Sequence, residues 1–501
     1  MSHYLFARKP LKLLLEEARG ENRLRRILGP VGLTSLGVGA IIGTGIFVLT
    51  GVAAHDKAGP ALILSFVIAG CACVFAALCY AEFASMVPVA GSAYTYAYAT
   101  LGELFAWIIG WDLVLEYTVA SAAVAHGWSA HFQDLLASFG VHLPFRWTHP
   151  PFDFNPEIGA FMSTGAVCDL ISIGIAALIT VILVKGIRES AGFNALMVGF
   201  KLAVVLFVIV VGAFYIDPAN WKPFAPYGYS GLSFFGKTIF GQHGPGGEPL
   251  GVLAGAAIIF FAYIGFDSVS THAEEAKRPN RDVPIGIIAS LIICTVLYIA
   301  VAAVLTGMVP AGQIDIHAPV SDAFRQKGLP FARRLIDLGA ITGITSVLLV
   351  MMLSQPRILL AMARDGLIPP RFFGAVHDRF RTPWKSTMLT GLLVGVMSSL
   401  IPLRVLADLT NIGTLFAFII VCSAVLVMRR MHPEAERPFK APLFPWVPIL
   451  GIFFCVVLMF SLPVENWWRL FAWLGGGLLI YFLYGRSRSV LARIRAEEKP
   501  R

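Results

Sequence analysis

The sequence predicts an all-α polytopic membrane protein of twelve transmembrane helices, with helices 1 and 6 broken and the first ten arranged as two inverted five-helix repeats. Three observations carry this reading. The 501 residues are 57% hydrophobic and 14% charged, with a mean hydropathy of +0.74. Twelve apolar runs approach the roughly 20 residues needed to cross about 30 Å of hydrocarbon. Two of them, five runs apart, are interrupted by glycine and polar residues.

Residues 1–30 precede the first run. Within them "PLKLLLEEARGENRLRRILG" (Pro10–Gly29) is basic and partly amphipathic, and reads equally as a helix lying on the cytoplasmic leaflet or as a solvated arm. It lacks the uncharged core of a removable signal peptide. Run 1, 31–54, contains "GVGAIIGTGIF" and is broken at Gly43-Thr44-Gly45. Run 2 covers 60–88. Run 3, 102–131, carries Asp112 and Glu116, four apart and so on one helical face. Run 4, 164–185, is uniformly apolar. Run 5, 190–215, holds Lys201, the only basic residue deep inside a run. Run 6, 249–276, is broken around "FFAYIGFDSVS" (Phe260–Ser270). Runs 7 to 10 lie at 283–308, 335–356, 386–402 and 404–429, completing a core of 31–429. Runs 11 and 12, 444–463 and 466–485, form an addition at 430–485, followed by a tail at 486–501. An odd repeat length turns the second copy upside down, and breaks at matching positions mark binding at the membrane midplane.

The net charge of +9 suggests a polyanion partner, but the basic residues are spread through short loops. That pattern orients membrane proteins, here with both termini cytoplasmic. The seven cysteines lie in or beside the runs without a CxxC pair, so neither a disulfide nor a metal site is implied. "GLSFFGKT" (Gly231–Thr238) fits the phosphate-loop spelling, yet it sits in a short connection between apolar runs. A phosphate loop needs a strand before it and a helix after it. No catalytic motif competes, so an enzyme is not expected.

A helix unwound within the membrane must have its freed amides and carbonyls satisfied by a cavity or a ligand. At the first break, Gly43 and Gly45 permit irregular dihedrals, Thr44 adds a hydroxyl, and amides opening the next half-helix suit a carboxylate. At the second, carbonyls around Phe261, Ala262 and Ile264 suit an ammonium. Together they describe an amino acid. Close packing of small residues, through Gly39 and Gly43, explains the glycines as well. Lys201 lies more than about 15 Å along its helix from either end, too deep to reach water, and is a candidate to exchange a proton. Glu116 is a candidate relay partner for Lys201. Asp112 is expected near an interface, and Asp267 is either a relay or the N-cap of the second half of run 6.

"GVGAIIGTGIFVLTG", "GSAYTYAYATLGELFAWIIGWDLVLEY", "FFAYIGFDSVSTHAEEAKRPNRDVPIGI" and "MARDGLIP" together resemble the amino acid, polyamine and organocation superfamily, over about residues 25–485. Within it they are similar to the bacterial relatives of the cationic amino acid transporters. The resemblance implies alternating access, proton coupling and a bacterial inner membrane. It places substrate contacts at Ile41, Thr44, Gly45, Phe261, Ala262 and Ile264, and matches Lys201, Glu116 and Asp267 to the coupling positions. Mammalian cationic members have fourteen spans, which weakens transfer of their preference for arginine and lysine. The family's eighth span lines the side-chain pocket, and here it reads "SVLLVMMLSQ", with bulky Met351 or Met352 where a long basic chain needs room.

The expected function is therefore a proton-coupled symporter for small neutral L-amino acids such as alanine. It needs no cofactor, is driven by a proton gradient, and has amino acid, proton and lipid as partners, with no nucleic acid. The alternative is a cationic amino acid uniporter or exchanger. A binding receptor or a channel is the reading from another class.

Overall fold

The computed structural model describes residues 6–10, 13, 26–89, 91–155, 160–244, 247–316 and 318–497. Most of Pro10–Gly29 lies outside these residues, and with it the surface-helix reading.

A helix underlies each apolar run. The twelve principal helices are α1 (Pro30–Ile41), α2 (Leu62–Met86), α3 (Glu103–Ser138), α4 (Leu170–Lys185), α5 (Ile187–Ala213), α6 (Val252–Ile259), α7 (Pro279–Met308), α8 (Pro330–Arg364), α9 (Trp384–Leu400), α10 (Leu403–Met431), α11 (Trp446–Phe460) and α12 (Val464–Ile480). Among the described residues seven helices are long and apolar enough to cross a membrane, or eight if α11 and the segment from Val464, bent by 111°, count as one. Two of the others, α1 and α4, are shorter apolar helices. The longest apolar stretch, Gly45–Met86, runs to 42 residues, about twice what one crossing needs. It turns at Gly59, whose φ is +61°, and Pro60.

Burial separates core from perimeter. The apolar window of Val252–Thr271 is 89% buried, whereas that of Gly192–Ala213 is 33% buried. Leu206 and Val210 of α5, Val296 of α7, Leu392 of α9 and Phe453 of α11 are exposed. Such a continuous apolar exterior suits lipid rather than water. Inside, α8 packs along α3, α7 lies against α1 and α2, and α10 joins α3.

Two antiparallel hairpins, Phe152–Asn155 with Ala160–Ser163 and Leu232–Phe234 with Lys237–Phe240, interrupt the helical pattern. The second contains the phosphate-loop spelling. Phe235 and Gly236 form its turn at φ +51° and +74°, so this stretch is a strand, a tight turn and a strand.

At one end, segments near both ends of the chain reach the same two residues, Asp365 and Glu103. Asp365, just after α8, accepts from Lys9 Nζ and the Tyr94 hydroxyl, each at 2.6 Å, and its carbonyl accepts from Val490 N at 3.0 Å. Glu103 accepts from Tyr98, Tyr481 and Ser489. Beside them Arg357 of α8 pairs with Glu275 at 2.6 Å. Lys9 and Asp365 are both nearly enclosed, so removing either charge breaks a buried ion pair. Asp365→Ala is expected to cost about 3–5 kcal/mol of stability, read as a lowered unfolding temperature of the purified protein in detergent.

Candidate binding site at the two helix breaks

Helix α1 ends at Ile41, and the chain resumes as a π-helical turn at Gly45–Leu49. Helix α6 passes into a 3₁₀ turn, Phe260–Tyr263, then through Gly265 at φ +121° to Ser268–Thr271. The breaks touch. A Cβ on Gly45 would lie 2.3 Å from Ala262 Cα, and one on Gly265 would lie 2.8 Å from the carbonyl oxygen of Ala40. Both glycines are therefore required for the approach, and Gly265 also for its left-handed backbone.

The carbonyls freed at the end of α1 find partners from three other helices. Lys201 Nζ donates to Gly39 O and Ile42 O, each at 2.9 Å, with Ser346 Oγ at 3.4 Å. Ser346 of α8 lies 3.1 Å from Gly39 O and 2.8 Å from Asn194 Oδ1. Tyr298 of α7 places its hydroxyl 2.7 Å from Ile41 O and 2.9 Å from Ala262 O. Its one proton serves either break at a time. Lys201, Tyr298 and Ser346 are fully buried.

Between the breaks lies a narrow cavity of about 10 Å³, room for about one water molecule. Helix 1 contributes Ala40, Ile41, Gly43, Thr44 and Gly45 to its wall, and the sixth helix contributes Phe261 and Ile264. Ala120 and Val124 of α3 and Val347 and Met351 of α8 complete it. No lining side chain is charged. Thr44 Oγ1 is buried with no hydrogen-bond partner. In the turn that follows, Ile46 N and Phe47 N donate to Gly43 O at 3.2 and 3.3 Å, so the unpartnered polar group at this break is the Thr44 hydroxyl.

Of the predicted contacts, Ile41, Thr44, Gly45, Phe261, Ile264 and Met351 line the cavity, while Ala262 and Met352 do not. Ala262 faces Gly45 instead, and its carbonyl is taken by Tyr298. The Phe261 carbonyl accepts from Ile264 N at 3.2 Å. Met352, next in sequence to Met351, points into packed core.

The acidic residues gather apart from Lys201. Asp267 Oδ2 accepts from the Tyr117 hydroxyl at 2.5 Å and Oδ1 from Gly265 N at 3.2 Å. It makes no side-chain cap to Ser268–Thr271. Asp267 thus stands at the N-cap position without a capping bond: the carboxylate turns back to the break, where Tyr117 holds it. Asp112, expected near an interface, is fully buried with both oxygens unpartnered. A Cβ on Gly413 of α10 would stand 3.1 Å from it. Glu116 adjoins Asp112, Asp267 and Thr414, though neither of its oxygens has a hydrogen bond of acceptable geometry. Sequence reasoning missed Tyr298, Ser346 and Asn194. Asn194 carried a signal, since it precedes Lys201 by seven residues on the same helical face.

Residues 28–483 match the sequence profile of a family described as amino acid permease. The chain is 45% identical to the methylthioribose transporter of Bacillus subtilis (strain 168), over 97% of this chain and 99% of that protein. It is 46% identical to the branched-chain amino acid permease BcaP of the same organism, over 98% and 100%. Cationic amino acid transporter 4, vacuolar, of Arabidopsis thaliana is 39% identical over 83% of this chain and 65% of its own length.

The contact between breaks yields a direct test. Gly45→Ala drives a methyl into Ala262 backbone and is expected to cost about 1–3 kcal/mol or more through overpacking. Amino acid binding and exchange in proteoliposomes should fall with it. Gly199→Ala, whose added methyl meets nothing within 4 Å, should leave both unchanged.

Proposed function

The chain belongs to the amino acid permease family, and from that premise we propose that it is a proton-coupled symporter of neutral L-amino acids with small or branched aliphatic side chains, alanine among them. One observation carries the substrate reading: the cavity at the meeting of the two breaks has an aliphatic wall and no charged side chain. The substrate carboxylate sits against the Thr44 hydroxyl at the start of the Gly45 turn, where the helix dipole favours an anion. Its ammonium faces the backbone of the sixth helix near Ile264. Ala120, Val124, Val347 and Met351 receive the side chain.

The similarity to a branched-chain permease supports an aliphatic substrate larger than alanine as a second reading. A cationic substrate would bring its terminal charge into a wall offering no carboxylate, a desolvation cost without compensation. A methylthioribose-type thioether sugar would leave the carboxylate and ammonium positions unused. Thermal-shift and counterflow measurements with alanine, isoleucine, arginine and methylthioribose separate these readings. Stabilisation by arginine alone overturns the neutral assignment.

In this reading the fold has twelve crossings, ten of them in two inverted repeats, in a bacterial inner membrane with both termini cytoplasmic. The meeting of the breaks supports the repeat, and the shared contact of Lys9 and Val490 with Asp365 supports an even number of crossings.

Lys201 is the proposed proton carrier. An ammonium has three donors, and its three acceptors here are two carbonyls and one hydroxyl. Loss of a proton removes a donor and loosens the tie between α5 and the end of α1, so protonation and the position of helix 1 are linked. Glu116 and Asp267 lie on the other side of the breaks as a relay.

Two outcomes follow. Thr44→Ala should weaken binding by about 1–3 kcal/mol, the scale of a charge-assisted hydrogen bond, while Thr44→Ser largely retains it. Lys201→Ala and Lys201→Arg should both lose uphill uptake driven by a proton gradient, because guanidinium stays charged. Uphill accumulation by Lys201→Arg equal to the parent's would remove Lys201 from the role.

A further inference from the structure

Thr44 has no hydrogen bond to fix its side chain, so packing alone determines where its hydroxyl points. That packing has a specific source. Gly127 lies in α3, where glycine is less favourable than alanine, and its φ is not positive. Backbone freedom therefore does not explain it. A Cβ added there would meet Thr44 Cγ2 at 2.8 Å, Oγ1 at 3.1 Å and Cβ at 3.6 Å. All three nearest atoms belong to Thr44. The missing methyl makes room for that one side chain.

The opposite side of the break is equally close. A Cβ on Gly43 would fall 2.5 Å from Val347 Cγ2, so the Gly43–Thr44 tip is held between α3 and α8. The two walls are tied together beside the tip, by Trp128 Nε1 donating to Thr345 Oγ1 at 2.8 Å. A second tie joins them further along, from Gln355 Nε2 to Thr118 Oγ1 at 2.7 Å. Neither wall can move aside without its partner. An added methyl at 127 would be relieved by displacing the Thr44 side chain.

We propose that Gly127 is a positioning residue for substrate: its absent side chain sets the place of the Thr44 hydroxyl in the cavity. This rests on the reading that Thr44 contacts the substrate carboxylate. Gly127 touches no substrate, and acts through the Thr44 methyl and hydroxyl.

The test compares the parent with Gly127→Ala, Thr44→Ser, Thr44→Ala and the double variant Thr44→Ser/Gly127→Ala. Counterflow of labelled L-alanine and L-isoleucine is measured in proteoliposomes, and unfolding temperature in detergent. Gly127→Ala is expected to raise the half-saturating concentration about tenfold, the size of a modest overpacking penalty. Maximal exchange and unfolding temperature stay near the parent's. Serine lacks Cγ2, so the double variant should return to within about twofold of Thr44→Ser alone, the coupling expected of residues in contact.

Unchanged half-saturation in Gly127→Ala overturns the proposal. So does a defect that persists equally in the double variant, or a Gly127→Ala protein that fails to fold and is not recovered by Thr44→Ser, since each makes Gly127 a general packing residue. The underlying reading fails separately, through Thr44→Ala binding as tightly as the parent.

Discussion

The backbone at the end of α1 has to be satisfied in a place where water is scarce, and the rest of the interior is arranged around that constraint. In hydrocarbon each unpaired carbonyl costs several kcal/mol. Here the carbonyls of Gly39, Ile41 and Ile42 are answered by side chains from α5, α7 and α8. The break is thus a junction of four helices. Its carbonyl side is closed by protein, which leaves the hydroxyl and amide side at Thr44 and Gly45 facing the cavity. The asymmetry gives protein partners to one half of the break and, in the proposed reading, leaves the other to a ligand.

The same junction makes polarity and shape inseparable. Ser346 and Asn194 approach Gly39 only because residue 39 has no side chain: a Cβ there would lie 2.9 Å from both. Gly45 and Gly265 let the two breaks come together by the same means. Apolar residues then line what remains, so in the proposed reading selectivity falls to apolar contact and orientation of a zwitterion to backbone and one hydroxyl.

The breaks and Lys201 were legible in the sequence because a glycine triplet or a lone cation in an apolar run has few bland accommodations. Met351 was legible only as one of a pair, since neighbours on a helix diverge by roughly 100° and the sequence does not say which faces inward. Tyr298, Ser346 and Gly127 were not legible. Tyrosine and serine are ordinary in buried helices, and Gly127 is one of 48 glycines whose meaning depends on a residue 83 positions away. Asp267 was left between cap and relay because its partner, Tyr117, comes from α3. The hairpin at Leu232–Phe240 shows the reverse case, in which a motif legible letter by letter had no fold to support it.

The convergence of Lys9 and Val490 on Asp365 also bears on how the molecule is made. Lys9 is synthesised before the helical core and Val490 after it, yet both bind the residue that follows α8. The cluster around Glu103 likewise waits for Tyr481 and Ser489. Closure of this end therefore requires residues from both sides of the helical core. A chain stalled short of Tyr481 would hold Glu103 and Asp365 without their late partners, distinguishing an unfinished protein from a finished one at a single surface.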